Sequence, residues 1–230
     1  MLIKLRDGVE GEMIKQLNAL NEARLKFKSL IAEPELITLR TGATFDNNKK
    51  IFSLTYFGQD YLIDFAGNVY KQGNCKEVSY NDHTLILQYL CSASGLPPRG
   101  KWLSFLELPY GALHNAPFYT DALKPLAEAF GTRMDDFYRA TKHLGGTPVN
   151  MGDAGAIIPA LPKLPLAVTI WSGDDEFPPR ANILFDSVAP THLTTAALWV
   201  LGVELAHKLI TYIKPERQGL NWLGKTLDFS

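Results

Sequence analysis

KIFSLTYFGQDYLIDFAG, residues 50 to 67, is the stretch on which the fold class turns. KIFSLTYF and DYLIDFAG both have strand character, and Gly58 with Gln59 lies between them. Two such runs joined by a short glycine-containing turn read as a hairpin, so the sheet they open is antiparallel. NVYK adds a short third strand just downstream.

Working outward, PELITLRTG before the hairpin is either a short helix closed by Gly42 or a strand. Residues 9 to 32 read as a helix, with Met13, Leu17, Leu20, Phe27 and Ile31 spaced by threes and fours and Arg24 as the polar break. Pro34 marks its boundary. After the hairpin, Asn81 or Asp82 is placed to cap a helix through HTLILQYLCSA, which Gly95 and Pro97-Pro98 stop. GKWLSFLEL reads as a strand ended by Pro109 and Gly111. FYTDALKPLAEAF and RMDDFYRATKHL form a central helical pair bounded by Gly131 and Gly145-Gly146. GAIIPAL, PLAVTIW and NILFD are further strands. A long final helix runs from about Thr191 to Lys214, with Leu198, Leu201, Leu205, Leu209 and Tyr212 on one apolar stripe and Pro215 ending it.

Helices and hairpin-type strands alternate in blocks without a βαβ rhythm. The expected class is therefore α+β: an antiparallel-rich sheet, a long N-terminal helix, the central pair and a long C-terminal helix. With no repeat or linker, residues 1–230 read as a single domain. It divides into an N-terminal helix (1–33), a core (34–214) and a tail (215–230).

The composition, 46% hydrophobic and 20% charged, is that of a globular chain. A net charge of -1 offers no general attraction to nucleic acid. The N-terminus lacks an apolar signal core, and the longest apolar run, AALWVLGVELAHKLI, is interrupted by Glu204, His207 and Lys208, so no membrane span is expected. Two cysteines, Cys75 and Cys91, cannot build a disulfide framework, an iron–sulfur cluster or a structural zinc site by themselves. The expectation is a soluble cytoplasmic protein with reduced thiols, Cys91 being a buried inert one within its helix.

GLNWLGKT, residues 219 to 226, matches the phosphate-loop pattern, but only LDFS follows it. Four residues cannot supply the helix whose N-terminus would hold phosphate, so no nucleotide is expected at Gly219–Thr226. Glu204 and His207 make an E-x-x-H step on the final helix; one copy does not make a di-metal site, and a solvated helix face is the expected reading. Residues 97 to 121 gather Arg99, Lys101, Trp102, Tyr110, His114, Phe118 and Tyr119, which either clamp a planar or anionic ligand or anchor the loop by aromatic burial.

WSGDDEFPPRANILFDSVAPTH, residues 171 to 192, packs Asp174, Asp175 and Glu176 into one turn. Hard cations prefer such oxygens. Asp186 and His192 could complete a metal site, or Arg180 and backbone N–H groups could tie down a structural turn. The structural turn is the favoured reading, with Asp186 mattering as much as its three neighbours.

W-x-G-D-D-E-F-P, then L-F-D, then a helix with L-G-x-E-L, resembles an uncharacterised prokaryotic family of domains of unknown function. YLCSASGLPPRGKWLSFLELP and residues 144 to 166 are similar to it as well, so the resemblance covers about three quarters of the chain. It implies an α+β domain of anaerobic bacteria and archaea, some of whose members carry cysteine-rich iron–sulfur segments that this chain lacks. It implies no activity, cofactor or catalytic residue. The leading expectation is a small-ligand or cofactor-binding accessory domain. Its pocket would lie between the aromatic loop and the acidic turn and use Arg99, Trp102, Tyr110, His114, Tyr119, Trp171 and Arg180. The alternatives are a divalent-metal-assisted hydrolase using Asp174, Asp175, Glu176 and Asp186, and a structural partner protein without a small ligand.

Overall fold

The computed structural model describes residues 2–73, 77–213, 220–221 and 225–226. Cys75, and half of the GLNWLGKT stretch, lie outside the described residues. The chain opens with α1 (Leu2–Leu30) and α2 (Pro34–Thr41). Pro34 starts α2 where a missing N–H costs nothing, and Gly42 ends it at φ 75°, which settles the ambiguous segment as helix. Strands β1 (Thr44–Asp46), β2 (Ile51–Tyr56), β3 (Gln59–Asp64) and β4 (Val69–Lys71) then form a four-stranded antiparallel sheet in that order.

The hairpin turn is Phe57-Gly58, one residue earlier than the sequence suggests, because Tyr56 pairs with Gln59. Both turn residues have positive φ, 47° and 71°, which matches the twist of the flanking strands. A Cβ on Gly58 would stand 2.8 Å from the Leu144 carbonyl carbon, so glycine also admits the neighbouring helix end. The buried Phe57 donates its N–H to Ala160 O at 3.0 Å and ties this sheet to the second one.

Next come α3 (Tyr80–Ser92) and β5 (Trp102–Ser104), then α4 (Asn115–Phe118), a π-turn (Tyr119–Leu123), α5 (Lys124–Phe130) and α6 (Met134–His143). Strands β6 (Thr147–Pro148), β7 (Ala154–Leu161), β8 (Leu164–Trp171) and β9 (Arg180–Asp186) follow. The chain then forms the short helix α7 (Ala189–His192) and α8 (Thr195–Ile213). The second sheet is five-stranded and antiparallel, in the order β5-β9-β8-β7-β6. The protein is α+β with the long terminal helices expected, but it has two main sheets where the sequence suggested one.

Several boundaries differ from the sequence reading for physical reasons. Strand β5 stops at Ser104, whose side chain and N–H are taken by Glu107 in a capping box that turns Phe105–Glu107 into a 3₁₀ turn. Ser79, rather than Asn81 or Asp82, caps α3 by accepting from Asp82 N at 3.1 Å. On α1 only the C-terminal half of the apolar stripe meets the core: Leu20, Ala23 and Phe27 are buried, whereas Met13 and Leu17 are exposed. On α8, Leu198, Leu201, Leu205 and Leu209 are fully buried, but Tyr212 lies outside the core and stacks on His143 at 4.8 Å. Helix α8 is long and apolar enough to cross a membrane, yet half of it is buried inside the protein. There it packs on α3, α5 and α6.

Candidate functional site

The acidic turn is held by its own backbone. Asp174 Oδ1 accepts from Glu176 N at 2.9 Å and Phe177 N at 2.7 Å, and Asp174 N donates to Phe177 O. This is an Asx turn, in which aspartate satisfies amides that the prolines leave unpaired in the ladder. Among the described residues Arg180, exposed at the start of β9, forms no ion pair with it. Asp186 sits at the other end of β9, about 20 Å away at strand rise. It is fully buried and accepts from Arg99 N, Gly100 N and Val188 N at 2.7 to 3.2 Å. The four carboxylates are thus not brought together. His192 is buried too, and its Nδ1 accepts from Ser94 N at 3.2 Å. Among the described residues no group of three or more His, Cys, Asp or Glu side chains could hold a metal ion.

The aromatic loop does not converge either. Its buried anchors are Phe105 and Phe118, stacked at 4.3 Å, so Phe118 anchors the loop by burial and Phe105 is an anchor that the sequence reading did not single out. Tyr110 is 81% exposed at φ 60°, and His114 and Tyr119 are exposed. Trp102, half-buried, pairs with Asp186 at one end of β9, while Trp171 pairs with Arg180 at the other. Arg99 contributes its backbone to Asp186. None of these seven residues lines the cleft between the β2–β3 hairpin, α3 and α8.

That cleft has a volume of about 560 Å³ and runs between β2–β3, the N-terminal turn of α3 and the C-terminal half of α8. Its floor is built from polar groups that an apolar core would not hold. Asp82, on the first turn of α3, accepts from the Tyr56 hydroxyl at 2.7 Å through Oδ1 and from Lys208 Nζ at 2.7 Å through Oδ2. Glu204 accepts from Asn81 Nδ2 at 2.8 Å through Oε1, and its Oε2 stands 4.0 Å from Lys208 Nζ. The ammonium also lies over the Tyr56 and Phe57 rings, 5.3 and 5.7 Å from their centroids. Asp82 and Glu204 are only 7% and 8% exposed.

Helix geometry explains the constellation. Glu204 and Lys208 are four residues apart and share one face of α8. Ser79 fixes the first turn of α3, so Asn81 and Asp82 project toward that face. The hairpin delivers Tyr56 from the third side.

Burial, and next the Asp82 carboxylate, push the Glu204 carboxyl above the usual range, against the pull of Lys208 and Asn81. Burial, then Asp82 and Glu204, push the Tyr56 hydroxyl well up, so it stays a donor. Burial and then Lys208 pull His207 down, which keeps its ring neutral near pH 7. Trp199, on the cleft wall, has an indole N–H that is buried and finds no acceptor among the described residues. Cys91 is half-buried, with its thiol pushed up to about 11 by burial, as an inert cysteine should be.

The solvated-face reading of Glu204 and His207 is corrected here: Glu204 is buried, and both residues line the cleft. Two signals in the sequence point that way. Ser79-x-x-Asp82 before an apolar run is a capping signature, and an i,i+4 Glu–Lys pair on an otherwise apolar helix needs a reason to be there.

The fold and site together define an α+β domain with a polar cleft between a β-hairpin and two helices. The family model for Domain of unknown function (DUF3786) matches residues 33–208, and the chain belongs to that family. The matched span begins just before α2, ends on Lys208 and so contains the whole charged cluster. No curated protein and no solved structure matches the chain.

Proposed function

We propose that this chain is a small-ligand-binding domain whose site is the cleft floored by Asp82, Glu204 and Lys208. The observation that carries this reading is the buried Glu204 facing an open cleft, with a neutral amide as its one hydrogen-bond donor among the described residues. Buried charges are stabilising only when fully paired, and replacing such groups with apolar ones is often neutral or favourable. A cluster of this kind therefore fits a site used for recognition better than a device for stability. Aromatic walls with a few convergent polar groups are also the usual make-up of small-molecule sites. A cytoplasmic setting fits the same reading, since Cys91 is a free thiol.

A fragment screen by thermal shift tests it. Hits should stabilise the wild type, lose their effect in Glu204→Gln and Trp199→Phe, and keep it in Tyr110→Ala and Trp171→Phe. Hits that survive both cleft variants and vanish with Tyr110→Ala or Trp171→Phe would move the site to the aromatic loop or the acidic turn.

A further inference from the structure

The charges on the cleft floor alternate. Asp82 and Lys208 neutralise each other across a 2.7 Å hydrogen bond. Glu204 follows on the far side of the ammonium, with Oε2 at 4.0 Å, beyond hydrogen-bond range. Its Oε1 is held by a neutral amide, so Oε2 receives no hydrogen bond among the described residues. This oxygen is not sealed in, because Glu204 lines the cleft. Among the described residues no cation other than Lys208 pairs with Glu204. His207 is kept neutral near pH 7 by burial, and Lys71 lines the cleft without an ion pair to a described residue. Asp121 adds a third carboxylate at the rim, so three acids face two lysines. Tyr61 and Trp199 contribute aromatic surface, which attracts cations through the ring quadrupole.

We propose that the cleft binds a small organic cation, an amine or amidine, whose charged group pairs with Oε2 of Glu204 while its body lies against aromatic side chains such as Tyr61 and Trp199. The proposal rests on the reading of the cleft as a ligand site. A bound cation completes the alternation that begins with Asp82 and Lys208. An anion would meet the surplus acid instead, and the one ammonium on the floor is already committed to Asp82.

The test uses three probes of one shape and different charge: benzamidine, benzamide and benzoate, titrated calorimetrically into the full chain. Benzamidine binds at least about tenfold tighter than benzamide, a difference of about 1.4 kcal/mol, and benzoate is silent. Glu204→Gln abolishes the preference for benzamidine. A wild-type measurement covers the case in which that variant does not fold. Benzamidine affinity falls at least about tenfold from about pH 8 to pH 4, because Glu204 and Asp121, whose carboxyls burial pushes up, take up protons while His207 moves toward its charged form; benzamide affinity does not fall. Benzamide or benzoate binding as tightly as benzamidine, and lost in Trp199→Phe, overturns the cation assignment and keeps the cleft as a site. Silence from all three probes, or a benzamidine preference that survives Glu204→Gln, also overturns the cation assignment, and the fragment screen then judges the cleft separately.

Discussion

Asp174 and Asp186 show how differently two aspartates of one segment can be used. Asp174 is exposed and closes a local turn, so Asp174→Asn keeps one acceptor oxygen and should cost about 1 kcal/mol or less. Asp186 is buried and receives three backbone N–H groups from two loops. In Asp186→Asn an NH₂ group faces donors, and the loss should approach about 3 kcal/mol in chemical denaturation. Equal losses would show that the two turns share one network. Glu204 gives a prediction of opposite sign. Its carboxyl is pushed up by burial, so the folded state holds this proton to higher pH than the unfolded chain does. Its contribution to stability is therefore most favourable below the unfolded pKa and declines as pH rises toward the folded value. Glu204→Gln, which keeps an acceptor for Asn81, should gain stability relative to wild type as pH rises above about 4. A gap that is constant with pH would show that the carboxyl is not perturbed.

At the scale of the element, most of the architecture was legible, because hairpins and amphipathic helices announce themselves through local pattern. Phe52, Leu54 and Tyr56 alternate along β2, and Leu198, Leu201, Leu205 and Leu209 recur along α8; these positions are buried as their periods require. The failures are equally physical. Met13 and Leu17 carry the same period as Leu20 and Phe27, but periodicity does not tell how far along a helix its partners extend. The cleft was illegible because Asp82 and Lys208 meet across 126 residues, a pairing set by topology alone. Leu201→Ala should cost about 2–5 kcal/mol, whereas Met13→Ser should change stability by less than about 0.5 kcal/mol. Gly202→Ala adds a sharper check on α8: the new Cβ would stand 2.7 Å from the Phe118 ring. Overpacking there should cost about 1–3 kcal/mol. A neutral Gly202→Ala would mean that α8 sits farther from α4 than described.

At the scale of the whole molecule, the two sheets and α8 enclose one apolar core and leave the polar cluster at its edge, where the hairpin, α3 and α8 meet. The tryptophans report on the rival sites, since Trp199 lines the cleft, Trp102 follows the loop entered by Arg99, and Trp171 adjoins the acidic turn. Their indole N–H resonances give separate signals in one ¹⁵N-correlated spectrum, assignable by single Trp→Phe variants. On addition of any fragment that raises the melting temperature, the account predicts that the Trp199 signal moves while those of Trp102 and Trp171 stay still. Movement of Trp102 or Trp171 with Trp199 unchanged would contradict the assignment of the cleft as the ligand site.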